Sequence, residues 1–261
     1  DFRKKLEEYC ESDKKNIKSL LQVLKKNKVE IVSSGGTYRE IKKLNFKCTE
    51  VSEFTNTPEI LDGRVKTLHP KIHAGILYKR GNKSHSKELI KHDYKGIDLV
   101  IVNFYPFEET LMKKSNHKKI IENIDIGGPA LVRAAAKNYK HVTVITSSSQ
   151  YPELIDEIIR LKGATSRKFR EKMSRIAFIE TASYDASISD YFNEIYKNDF
   201  PQKKVFFGNL IEKLRYGENP HQKSAIYSNQ NLLDIKKLHG KQLSYNNYND
   251  LFTALTISKS L

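Results

Sequence analysis

The sequence contains no tryptophan, two cysteines, two methionines, and 31 acidic residues against 46 lysines and arginines. Cys10 and Cys48 are too few for a disulfide framework and show no metal-binding spacing; they suit a reducing compartment. No apolar run approaches the roughly 20 residues that cross a bilayer. The opening Asp-Phe-Arg-Lys-Lys-Leu-Glu-Glu lacks the apolar core of a signal peptide. The missing initiator methionine leads us to expect that the numbering does not begin at the native start. His69 and His73 are too little to make a metal site, and no dinucleotide fingerprint is present. The excess of base amounts to +15, but lysine is scattered along the whole length. Nucleic-acid binders concentrate their charge on one face or in a tail. Scattered charge is more often a solvated surface, and it draws in phosphorylated small molecules by long-range attraction.

What is present is an alternation of strand and helix patterns through the first 150 residues. Ile17, Leu20, Leu21 and Leu24 recur at helix spacing, with Ser12 or Asp13 placed to cap that helix. Val29–Val32, Cys48–Val51, the near-continuous apolar run Ile97–Val102, and His141–Ile145 read as strands. Between them helices are expected from about Tyr38 to Leu44, within the polar stretch 79–96, and from Ala130 to Asn138. This pattern argues a doubly wound α/β domain. Helical spacing continues from Pro152 to Asn193, residues 198–202 read as a linker, and a new segment starts at Val205. The chain ends at Leu261 inside what reads as an unfinished helix.

Chemistry-bearing residues gather at the strand-to-helix crossings. Ser33-Ser34-Gly35-Gly36-Thr37 and Ile126-Gly127-Gly128-Pro129 are glycine turns that open helices, where backbone N–H groups can point at an anion. Either turn alone is a common structural feature. Asp62 to His73 holds Arg64, Lys66, Lys71, His69 and His73, and reads as a loop because Pro70 disfavours helix at His69. Asn103 and Tyr105 stand at the carboxyl end of a buried strand, where open α/β sheets bind ligands. Arg133 and Lys137, four residues apart, share one helix face. Together these residues describe a pocket for a phosphorylated, roughly nucleotide-sized ligand, with Lys66, Tyr105, Asp125 and Lys137 as acid/base candidates.

Several stretches resemble the bifunctional purine biosynthesis proteins that combine IMP cyclohydrolase with AICAR transformylase. They are Ser12-Asp13-Lys14, Ser34 to Thr37, Asp62 to Pro70, Asn103 to Phe107, Asp125 to Gly128, Ala134 to Asn138, Arg215 to Gln222 and Leu243 to Asn247. The resemblance implies a methylglyoxal synthase-like parallel sheet sandwiched by helices over residues 1–199. Residues 200–261 would then begin a cytidine deaminase-like transformylase domain. It implies dehydrative ring closure of formyl-AICAR ribotide to IMP, with no metal or organic cofactor. By the same resemblance Lys66 and Tyr105 lie around the formyl oxygen, Asp125 orients or deprotonates the carboxamide, and Lys137 carries a proton. Ser12, Lys14, Ser34, Gly35, Gly36 and Thr37 hold the phosphate. Arg64, Thr67, Asn103, Ile126 and Gly127 line the base side. Arg215, Tyr216 and Asn247 match contacts to AICAR ribotide in the transformylase, whose co-substrate is 10-formyltetrahydrofolate. The Lys-His motif of formyl transfer is not among these residues, so that activity is not expected of this chain. The family implies a cytoplasmic homodimer with no nucleic-acid or membrane partner. One departure stands out: Leu6-Glu7-Glu8-Tyr9-Cys10-Glu11 occupies the place of an apolar first strand, and carboxylates sit badly in a buried strand. A ligand-sensing module, a nucleic-acid binder and a methylglyoxal synthase remain the alternatives.

Overall fold

A helix over residues 17–26 (α1) buries Leu20, Leu21 and Leu24 and leads into the first of two parallel strand pairs. The structure, a computed structural model, describes residues 17–104, 107, 116–228 and 238–260. The segment that contains Ser12 and Lys14, the expected first strand, and Tyr105 lie outside the described residues.

Strand β1 (Val32–Ser33) runs through helix α2 (Gly35–Lys43) into β2 (Thr49–Glu50), and the two strands pair in parallel. Parallel partners need such a crossover, which a helix supplies. After the short α3 (Val51–Thr55), α4 (Pro70–Leu77) and α5 (Lys83–Lys91) comes β3 (Leu99–Ile101). Among the described residues, helices α6 (His117–Glu122) and α7 (Gly127–Lys137) then lead to β4 (Thr143–Ile145), which pairs in parallel with β3. Helices α8 (Tyr151–Arg160) and α9 (Arg167–Ile195) follow. Parallel strands joined by helices make this unit α/β, as the alternating pattern predicts.

The core centres on β4, whose Val144 and Ile145 are essentially inaccessible. Ala135 and Ala136 of α7 are also fully buried, and their small side chains let that helix lie close to the strands. Leu154 of α8 and Met173 and Ala177 of α9 complete the packing. Asn138, at the end of α7, is buried and donates both amide hydrogens, to the Ile76 carbonyl at 2.7 Å and the Tyr78 carbonyl at 3.0 Å. It thereby satisfies two backbone acceptors around the carboxyl end of α4. Glu157 of α8 accepts the Ser166 N–H at 2.8 Å and pairs with Arg160. Burial raises the Glu157 pKa, but its Ser166 and Arg160 partners outweigh that effect and bring it down to about 2.

The chain divides into two compact units, Asp1–Asp185 and Ala186–Leu261, the division falling within α9. In the second unit β5 (Asn209–Lys213) pairs antiparallel with β6 (Ala225–Ser228), and α10 (Tyr245–Ser260) follows. No helix among the described residues is long and apolar enough to cross a membrane.

The elements depart from the sequence reading in an ordered way. The strands are shorter than the apolar runs, as with Leu99–Ile101 inside Ile97–Val102. Helices α2 and α7 begin within their glycine pairs, three residues earlier than the spacing of larger side chains suggests. Half of the expected basic loop is helical. Pro70 occupies the first turn of α4, where its missing N–H costs nothing, and His69 caps it.

Candidate active site

An open cleft of about 1860 Å³ lies in the first unit, lined by Val32 and Ser33 on one side and Leu99, Val100 and Ile101 on the other. The β1–β2 and β3–β4 pairs share no ladder among the described residues. At the carboxyl ends of β1 and β3, Ser34, Gly36, Thr37 and Asn103 reach the cleft. Arg64, Lys66, Thr67, Asp125, Ile126 and Gly127 also line it. The two glycine turns and the cationic loop therefore open onto one space.

The first turn is built around Gly35, whose φ of +58° is unfavourable for residues with a Cβ. Ser34 is extended and makes no side-chain cap, so its hydroxyl does not serve the helix. Lys66 Nζ lies 3.3 Å from where a Cβ on Gly35 would stand, directly beside the turn. Among the described residues it pairs with Glu59 at 3.7 Å. Around Gly36 nothing stands within 4 Å of such a Cβ. A lysine ammonium beside open backbone N–H groups at a helix start is an arrangement that holds phosphate.

The loop that carries Lys66 is strained. Leu61, Asp62 and Gly63 all have positive φ, at 52°, 53° and 82°; such residues normally occur singly. This turn aims Arg64 across the cleft mouth, where it pairs with Glu122 of α6. Thr67 reaches the second glycine turn: a Cβ on Gly127 would lie 2.3 Å from its Oγ1. Asp125 lies against the next residue. Its Oδ1 accepts the Gly128 N–H at 2.8 Å, and its Oδ2 would be 2.2 Å from a Cβ on Gly128. One carboxylate oxygen thus caps α7 and the other remains available. Ile126 is 61% exposed, an apolar surface beside these polar groups suited to the face of a flat heterocycle.

Other members of the basic stretch serve the scaffold. His69 Nδ1 accepts the Lys71 N–H at 3.1 Å, so the ring proton sits on Nε2, 3.2 Å from Thr57 Oγ1. His69 therefore serves α4 as its cap and does not line the cleft. Lys71 lays its ammonium over the Phe54 ring at 5.3 Å. His73 interacts with the Thr67 carbonyl, its Nε2 is buried with no partner among the described residues, and burial lowers its pKa. Lys137 is exposed at the far end of α7. Ten residues at 1.5 Å each put it about 15 Å along the axis from Gly127. The structure thus gathers Lys66, Asp125 and the turn residues, and leaves Lys137 outside the cleft.

Sequence reasoning passed over Tyr184, on α9. Its hydroxyl accepts the Asp125 N–H at 2.8 Å, and its ring packs on Phe104 and Phe107 at centroid distances of 5.3 and 6.1 Å. Burial raises its pKa, against the opposing pull of the Asp125 N–H. Its helical spacing identifies it only as a core-facing residue.

In the second unit Arg215 stacks its guanidinium on Tyr216 at 4.8 Å and donates to the Tyr216 hydroxyl at 3.1 Å. The Ser244 hydroxyl, together with Arg215, lowers the Tyr216 pKa. Asn247 Oδ1 accepts from Ser244 N and Oγ at 3.1 and 3.0 Å, a reciprocal cap at the start of α10. The three residues singled out there are brought to one neighbourhood by backbone bonds from Arg215 to Leu243 and from Tyr245 to Tyr216.

Two protein families match this chain in tandem: the MGS-like domain over residues 16–130 and the AICARFT/IMPCHase bienzyme over residues 135–261. The bifunctional purine biosynthesis protein PurH of Bradyrhizobium diazoefficiens is 46% identical over 243 residues, covering 92% of this chain and 46% of that protein. The PurH of Cereibacter sphaeroides is 42% identical over 250 residues, covering 94% of this chain and 47% of that protein. A crystal structure of ForH superposes with a TM-score of 0.60 at 27% identity, covering 68% of this chain and 93% of that one. The chain spans about half the length of the curated relatives it matches. With both domain types in order and such identity across more than nine-tenths of its length, the chain is similar to the bifunctional purine biosynthesis proteins and carries an MGS-like domain followed by an AICARFT/IMPCHase domain.

Proposed function

We propose that the first unit catalyses the cyclohydrolase step, closing formyl-AICAR ribotide to IMP with loss of water. The observation that carries this reading is the convergence of a phosphate-suited turn, an ammonium and a carboxylate on one cleft. The phosphate lies on Ser34 to Thr37 beside Lys66. The heterocycle lies between Ile126 and the Thr67–Gly127 contact, with Asn103 and Arg64 at its edges. Asp125 Oδ2 accepts a hydrogen bond from the carboxamide nitrogen and takes one of its protons as that nitrogen attacks the formyl carbon. Lys66 stabilises the charge that builds on the formyl oxygen; that oxygen takes up the proton held by Asp125 together with the formamide proton and leaves the carbinolamine as water, which returns Asp125 to its carboxylate. Tyr105 shares the work at the formyl oxygen. Ser12 and Lys14 add to the phosphate site. Lys137 belongs to the proton-transfer set by resemblance, and in the fold described here it does not reach this cleft. The reaction as written uses no metal or organic cofactor.

For the second unit we propose the beginning of a transformylase domain, in the sense of residues 200–261 following a cyclohydrolase domain at 1–199. Arg215, Tyr216 and Asn247 would contact AICAR ribotide there. Formyl transfer from 10-formyltetrahydrofolate belongs to the whole protein, a cytoplasmic homodimer. The test is incubation of the purified protein with formyl-AICAR ribotide, without folate or metal, following IMP by chromatography. Steady IMP production is the expected result. Turnover of dihydroxyacetone phosphate in its place would replace this reading with methylglyoxal synthesis, and binding without turnover would replace it with ligand sensing.

A further inference from the structure

Asp125 stands at a junction where its backbone needs outside support. Its side chain caps α7 through the Gly128 N–H, so the carboxylate is tied to the helix that follows. Its own N–H precedes that helix and finds its acceptor in the phenolic oxygen of Tyr184, 59 residues further along the chain. Tyr184 is 8% exposed, so this hydrogen bond is shielded from competing water. The same ring packs on Phe104 and Phe107, which follow β3 in the chain. One side chain of α9 thus touches both the residue that carries the carboxylate and two aromatic rings that follow β3.

We infer that Tyr184 is a positioning residue for the carboxylate of Asp125, fixing that residue's backbone through its hydroxyl and holding Phe104 and Phe107 through its ring. The inference rests on the cyclohydrolase reading for its kinetic consequence, and on geometry alone for its structural one. Carboxylate placement matters because proton transfer falls steeply when the donor–acceptor distance leaves hydrogen-bond range. The ring and the hydroxyl act separately. Removing the oxygen leaves the half-buried Asp125 N–H without its acceptor, whereas the packing on Phe104 and Phe107 persists.

The experiment compares Tyr184→Phe with the unsubstituted protein in two measurements. The first is amide hydrogen exchange at Asp125, which needs no turnover. The second is the kinetics of ring closure. Tyr184→Phe should speed exchange at the Asp125 amide by about tenfold. It should lower kcat by about tenfold and leave KM within twofold, because the phosphate and base contacts are untouched. Tyr184→Leu should also raise KM, since Phe104, next to Asn103 in the cleft lining, loses its packing. Unchanged exchange at Asp125 in Tyr184→Phe would overturn the inference, as would equal losses in kcat and 1/KM for both variants. If the unsubstituted protein makes no IMP, the cyclohydrolase reading fails by itself, and the exchange result alone then decides whether Tyr184 holds Asp125.

Discussion

Replacing Gly36 by alanine should stabilise the protein and weaken ligand binding at the same time. Gly36 lies in the first turn of α2, and an added methyl meets nothing within 4 Å. Glycine loses more backbone entropy than alanine on folding, so the substitution stabilises by up to about 0.5–1 kcal/mol. For a domain of this size that raises Tm by about 1–4 °C. The open space beside Gly36 belongs to the cleft. An N–H donor holds a phosphate oxygen at about 2.9 Å, whereas a methyl carbon keeps it beyond roughly 3.5 Å. Losing one such charge-assisted hydrogen bond costs about 1.5–3 kcal/mol, which is roughly ten- to a hundredfold in Kd. Gly35→Ala is the control. Its φ of +58° makes alanine cost about 1–2 kcal/mol, and its methyl crowds Lys66 Nζ at 3.3 Å. The two variants should therefore shift Tm in opposite directions and both weaken IMP binding. Titration calorimetry with IMP and thermal unfolding by circular dichroism measure both quantities. Gly36→Ala binding IMP as tightly as the unsubstituted protein would show that phosphate does not occupy this turn.

Glu157 predicts the acid limb of the stability curve. Its folded pKa of about 2 lies below the unfolded value of 4.5, so its contribution is complete above 4.5 and lost as pH falls through about 2. Glu157→Gln should lose stability at neutral pH and show a shallower decline over that window in urea titrations. Asn138→Ala leaves the Ile76 and Tyr78 carbonyls without their donor. It should destabilise by about 1–3 kcal/mol in denaturant melts, with a larger loss in ring closure than in IMP binding if α4 shifts.

The alternation that predicts an α/β fold is legible because it depends on periodicity, which each element carries in its own residues. The glycine turns are legible as turns for the same local reason. Helix starts were not, since glycine and proline weigh against helix on propensity and only the turn geometry pulls them in at Gly35 and Gly127. Their neighbours in sequence place His69 and Lys71 in the basic stretch with Arg64 and Lys66. The cap at Pro70 turns His69 inward to the Lys71 N–H, and Phe54 holds the ammonium of Lys71. Lys137 shares a face with Arg133 as its spacing says, but periodicity gives the face and not the distance along the axis from Gly127. Leu61 and Asp62 have no local signal for left-handed backbone; the following Gly63 is the single hint. Tyr184 is the hardest case. Its partner Asp125 is 59 positions away, and only tertiary packing joins them.

The most direct measurement is IMP formation by Asp125→Asn beside calorimetric binding of IMP to the same variant. Asparagine keeps the oxygen that caps Gly128 and loses the charge that accepts a proton. The account predicts binding within a fewfold of the unsubstituted protein and ring closure slowed by about a hundredfold or more. Undiminished ring closure by Asp125→Asn would contradict it.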